Sequence, residues 1–68
     1  MKITINGELE ELNPDPPTLD KLISLLDYHP KLIVVEYNGT ILPPSLWAEQ
    51  EVKDEDSLEI VTIVGGGS

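Results

Sequence analysis

The 68-residue sequence predicts an α+β fold, a mixed sheet with one helix packed across a face. Three observations carry this prediction. Leu19, Leu22, Ile23 and Leu26 follow the i, i+3, i+4, i+7 rule of a helix with one apolar side. The runs 32–37 and 57–64 are β-branched and have the period of a strand. Two Asn-Gly pairs, Asn6-Gly7 and Asn38-Gly39, supply the residues that tight hairpin turns need.

In chain order, residues 2–6 alternate with Ile3 and Ile5 on one face, and after Asn6-Gly7 a strand over 8–12 returns antiparallel. Leu12 and Leu9 anchor that second strand beside three glutamates, a composition suited to an edge. Pro14, Pro16 and Pro17 then block both helix and ladder, because proline lacks the N–H and restricts the residue before it. Thr18 is placed to cap the helix, and Pro30 stops it, with His29 near the helix C-terminus.

Residues 32–37 read as a central strand. Glu36 marks its wet side, which turns Ile33, Val35 and Tyr37 to the core and leaves Leu32 and Val34 as an apolar patch outside. Residues 40–42 form a short return strand stopped by Pro43-Pro44. Ser45 is placed to cap a single helical turn carrying Leu46 and Trp47, the latter a core plug. Lys53-Asp54-Glu55-Asp56 is a charged turn. In the last strand, 57–64, Leu58, Ile60, Thr62 and Val64 share the core face, so Val61 and Ile63 are exposed on a surface that a partner covers. Pairing the first and last strands in parallel at the centre gives the β-grasp arrangement, a single domain over 1–64.

Residues 65–68, Gly65-Gly66-Gly67-Ser68, form a flexible tail, since glycine populates positive and negative φ about equally. Such a tail enters narrow slots, although a terminal Gly/Ser run is also what a plain linker looks like.

Composition excludes several classes of function. Thirteen acidic residues against four lysines give a net charge of −9, which repels phosphate backbones and anionic lipid, so neither nucleic acid nor membrane is expected as a partner. There is no cysteine and one histidine, too few for a thiolate metal site, a nucleophilic triad or a metal cluster. The start lacks the apolar stretch of a secretory signal, which predicts a cytoplasmic protein, monomeric when alone.

The chain resembles the small ubiquitin-like sulfur carriers of thiazole biosynthesis in the thiamin pathway, the ThiS family. The resemblance rests on the opening Met1-Lys2-Ile3-Thr4-Ile5-Asn6-Gly7, the Thr18-Leu19 helix start, Tyr37-Asn38-Gly39 followed by Ile41-Leu42-Pro43, and Ser45-Leu46-Trp47-Ala48. It continues through the acidic turn at Asp54-Glu55-Asp56 and Leu58-Glu59-Ile60-Val61 to Gly65-Gly66-Gly67. It implies a carrier that binds no cofactor and whose terminal glycine, here Gly67, does the chemistry. An E1-like adenylyltransferase of the ThiF type uses ATP to adenylate that carboxylate. Sulfur from a persulfide donor then replaces the nucleotide to leave a thiocarboxylate, and a thiazole synthase of the ThiG type takes the sulfur.

Fixing a residue's backbone costs about 1–2 kcal/mol, so ordering Gly65, Gly66 and Gly67 costs about 3–6 kcal/mol and the folded body must supply docking energy. The candidate partner-binding residues are Val61, Ile63, Val34 and Leu32. Ser68 departs from the family pattern, which requires a chain ending in glycine; it is expected to be removed to expose Gly67, or to be an appended residue. A molybdopterin-synthase-type small sulfur carrier or a ubiquitin-like modifier is the alternative, and a further reading is a non-reactive binding module in which the tail is only a linker. The carriers of molybdopterin synthase tend to place proline before their final glycines, where Ile63-Val64 stands here.

Overall fold

The computed structural model describes residues 1–63. Strands β1 (Lys2–Ile5) and β2 (Glu8–Glu11) form a hairpin, helix α1 (Leu19–Leu25) follows, and β3 (Ile33–Tyr37) and β4 (Thr40–Leu42) form a second hairpin. Strand β5 (Ser57–Thr62) closes a five-stranded sheet of order β2-β1-β5-β3-β4. Both hairpins are antiparallel, β5 runs antiparallel to β3, and β1 and β5 pair in parallel at the centre. This is the β-grasp topology.

The hairpins form where the sequence places Asn-Gly. Asn6 and Gly7 have φ of 53° and 83°, and Asn38 and Gly39 have 49° and 88°, the two positive values that a type I′ turn demands. Strand alternation sends Ile3, Ile5, Ile33, Val35, Tyr37, Leu58 and Ile60 to one face of the sheet, where Leu19, Leu22 and Ile23 of α1 complete the core with Leu12, Trp47 and Val52. Trp47 plugs the end of this core and donates its indole N–H to the Leu42 carbonyl at 2.9 Å.

Several local expectations are corrected. Thr18 occupies the N-cap position of α1, but its hydroxyl donates to the Asp20 carboxylate instead of accepting from the first turn. The exposed ends of α1 are tied elsewhere: the Leu19 N–H donates to the Gln50 carbonyl at 2.8 Å. The helix ends at Leu25, well before the predicted stop at Pro30, because Asp27 takes φ of 64° and forms a Schellman motif. In it the Asp27 N–H donates to Ser24 O at 3.0 Å and the Tyr28 N–H to Ile23 O at 3.2 Å. His29 therefore does not sit on the helix terminus. It caps a short 3₁₀ helix, Pro30–Leu32, its Nδ1 accepting from the Lys31 N–H at 3.3 Å.

Leu32 thus belongs to that turn rather than to β3. Pro43, not Ser45, occupies the N-cap of the second 3₁₀ helix, Pro44–Glu49, and no side chain caps it. Leu9 is 67% exposed and anchors nothing, since its register partner is Thr4, on the face opposite the core. Thr62 has the inward phase yet is exposed, because it pairs with Ile33 at the outer end of the strand pair.

Candidate functional site

Among the described residues none covers the face of the sheet turned away from α1, and that face carries an apolar surface. Alternation along β5 points Glu59 and Val61 outward, and Ile63 continues their phase. Antiparallel register sets Val34 directly opposite Val61 and Glu36 directly opposite Glu59. One step further out, the Ile63 N–H donates to the Leu32 carbonyl at 2.6 Å. The structure therefore brings together all four side chains expected to meet a partner, and leaves Val61 61%, Ile63 50%, Leu32 47% and Val34 37% exposed.

Two residues of this face were not anticipated: Ile41, 63% exposed opposite Glu36, and Leu9 opposite Thr4. Six of the eight exposed large hydrophobic residues among the described residues are in phase with this face, the others being Leu25 and Leu46, so the exposure is concentrated and not scattered. Counting the β3–β4 register outward from Asn38-Gly39 would have found Ile41.

The position of β5 is held from both sides by the two turn asparagines. Asn6 accepts from the Ile60 N–H through Oδ1 at 2.7 Å and donates to the Ile60 carbonyl through Nδ2 at 3.2 Å. Asn38 accepts from the Ser57 N–H at 2.8 Å and donates to Asp56 at 3.1 Å. Among the described residues Asp56 is the one buried charge, although its sequence places it in a charged turn.

Burial pushes the Asp56 carboxyl up, but the Tyr37 hydroxyl, the Lys53 N–H at 2.7 Å and the Asn38 amide all donate to it and bring it net below its ordinary value. The same burial, together with the carboxylate that its hydroxyl serves, raises Tyr37 to about 12. Asp20 lies below its ordinary value because the Thr18 hydroxyl donates to it. The Asp56 network is saturated by internal partners, so its role is to hold the start of β5 and not to meet a ligand.

One concave region, a groove of about 240 Å³ lined by Ile23, Tyr28, Pro30, Pro44 and Trp47, has Asp20 as its acidic group, and Thr18 engages that carboxylate. Among the described residues there is no group of three metal-ligating side chains, and no helix is long and apolar enough to cross a membrane. The predicted tail residues Gly65, Gly66 and Gly67, with Val64 and Ser68, lie outside the described residues. The last described residue, Ile63, sits beside Leu32 at the end of the apolar surface.

Fold and face together define a ubiquitin-like β-grasp body with an apolar sheet face that ends at the last described residue, Ile63. The chain belongs to the ThiS family, whose sequence model matches residues 3–67 and so takes in the three glycines and leaves Ser68 outside. The sulfur carrier protein ThiS of Bacillus subtilis is 32% identical over 65 residues, which cover 96% of this chain and 98% of that one. A thiazole synthase of Paramagnetospirillum magneticum is 40% identical over 68 residues, all of this chain and 21% of that protein. The crystal structure of the thiamine biosynthesis protein ThiS from Geobacter metallireducens superposes with a TM-score of 0.84 at 29% identity, covering 98% of this chain and 100% of that one.

Proposed function

We propose that this protein is a sulfur carrier of thiamin biosynthesis that acts through its own C-terminal glycine, Gly67. An E1-like adenylyltransferase, which uses ATP, adenylates the Gly67 carboxylate; sulfur from a persulfide donor replaces the nucleotide; and the resulting thiocarboxylate passes its sulfur to a thiazole synthase in the cytoplasm. The carrier contributes neither acid, base nor bound cofactor. Gly65 and Gly66 serve as the narrow approach, because residues without a Cβ give the backbone the least width and the widest choice of dihedrals.

The observation that carries this reading is the family match running through Gly67, on a body that has 32% identity over nearly its whole length to a protein named as a sulfur carrier. The stretch similar to this chain within a protein named thiazole synthase supports the synthase as recipient.

Energetics support the face bearing Val34, Val61, Leu32 and Ile63 as the docking surface. Each of these side chains is already about half covered, so covering the rest is worth about 3–6 kcal/mol in total. That is comparable to the cost of ordering three glycines, before the loss of translational freedom is counted. Hydrophobic contact alone therefore gives little net affinity, and polar contacts from the same face must add to it.

Intact mass spectrometry after incubation with the activating enzyme, ATP and a sulfur donor tests the assignment on a chain ending at Gly67. Replacement of one terminal oxygen by sulfur is expected. Conjugation to lysine would indicate a modifier instead, and an unchanged mass a bare binding module. The chain that retains Ser68 is expected to remain unmodified, because a side chain then stands on the residue to be adenylated.

A further inference from the structure

We propose that Glu36 and Glu59 together receive an arginine of the thiazole synthase that Val34 and Val61 dock against, an inference that rests on the sulfur-carrier reading above. The two glutamates are register partners on neighbouring strands, both on the outer face. Opposite positions of an antiparallel pair hold their Cβ atoms about 4.5–5.5 Å apart, and like charges so placed repel. The free protein does nothing to relieve this: among the described residues the one ion pair joins the Met1 amino group to Asp15.

Two carboxylates fall short of the six to eight oxygens that a calcium-like cation takes, and no third ligating group joins them among the described residues. A guanidinium suits them better, since its planar fork offers parallel N–H donors to two acceptors at once, which a lysine ammonium does not. The surroundings strengthen the pairing. Ile41 flanks the carboxylates on the β4 side, and Val34 and Val61 lie one outward position along each strand. A partner seated on those side chains excludes water from the carboxylates and lowers the local dielectric. The net charge of −9 makes a cationic partner surface the complementary one.

The test is a binding titration of the cognate thiazole synthase with the wild-type chain, Glu36→Gln/Glu59→Gln, Val61→Asp and, as a charge control, Glu8→Gln, whose register partner Ile5 faces the core. Each is measured at two salt concentrations, with thermal unfolding of the free chains alongside. The double glutamine variant is expected to unfold at a higher temperature than wild type, because the repulsion is gone. It should also bind at least about tenfold more weakly, with a shallower salt dependence. Glu8→Gln should bind as wild type does.

Unchanged affinity of the double variant beside a weakened Val61→Asp overturns the arginine site and leaves the docking face standing. Equal weakening by Glu8→Gln reduces the effect to general charge and overturns the site as well. Unchanged affinity of Val61→Asp, or no binding by the wild-type chain, removes the docking face and the arginine site together.

Discussion

The side-chain amide of Asn6 pairs with both backbone groups of Ile60, 54 positions away, as though β1 had one more residue. It does so from a turn position with φ of 53°, so a single residue reverses the chain and extends the central parallel ladder. Asn38 repeats the device at the other end of β5, through Ser57 and Asp56. The last strand of the sheet is thus clamped by both hairpin turns.

Replacing Asn6 with alanine is expected to destabilise the protein by about 1–3 kcal/mol, because the Ile60 N–H and carbonyl lose their partners and alanine tolerates positive φ less well than asparagine. For a domain of this size that lowers the midpoint of thermal unfolding by about 4–8 °C per kcal/mol. Asn6→Gly keeps the turn, loses the clamp and relieves the backbone cost of positive φ, so the difference between the two variants measures the strain on alanine. An Asn6→Gly midpoint above that of wild type would show that the amide contributes less than glycine gains at this φ.

Asp27→Gly is expected to stabilise by about 0.5–1 kcal/mol. Asp27 closes the Schellman motif at φ of 64°, where glycine pays no steric penalty, and its carboxylate makes no hydrogen bond among the described residues. Urea unfolding should show a higher midpoint with unchanged slope.

Stability should fall at both ends of the pH scale, for opposite reasons. Tyr37 is raised in the folded state, so the unfolded chain ionises first; its contribution is full below 10.0 and is lost as pH rises toward about 12. Asp56 is lowered in the folded state, so its contribution is present above its ordinary 3.8 and is lost as pH falls through the folded value. Tyr37→Phe should flatten the alkaline limb of a stability–pH curve measured by chemical denaturation. An alkaline limb identical to wild type would contradict the Tyr37–Asp56 account.

Val61→Asp should leave the free chain folded at a cost of about 1 kcal/mol, the price of a poor strand former on an exposed position. Val35→Asp lies on a neighbouring strand with its side chain fully buried, and should abolish folding because an unpaired charge enters the core. Circular dichroism distinguishes the two. A collapsed Val61→Asp would mean that this side chain holds the body together instead of meeting a partner.

Much of this protein was legible in the chain because the relevant forces are local. Asn-Gly requires two positive φ angles wherever it occurs, and alternation at Val34, Val61 and Ile63 assigns a face once the strand is known. Apolar spacing at Leu19, Leu22 and Ile23 likewise selects a helix side. The caps were harder to read, because several nearby groups compete at each: Thr18, His29 and Ser45 carry the right side chains, but residue type alone does not decide which competitor wins. Thr18 finds Asp20, the end of α1 is decided by Asp27, and the turn at Pro44 by two prolines. Register is the quantity that only the tertiary structure supplies, since a strand's alternation says which residues share a face but not which residue lies opposite. That is why the exposed valines could be named from the sequence alone, while the opposition of Glu36 to Glu59 and the reach of Asn6 to Ile60 appeared only once the sheet was assembled.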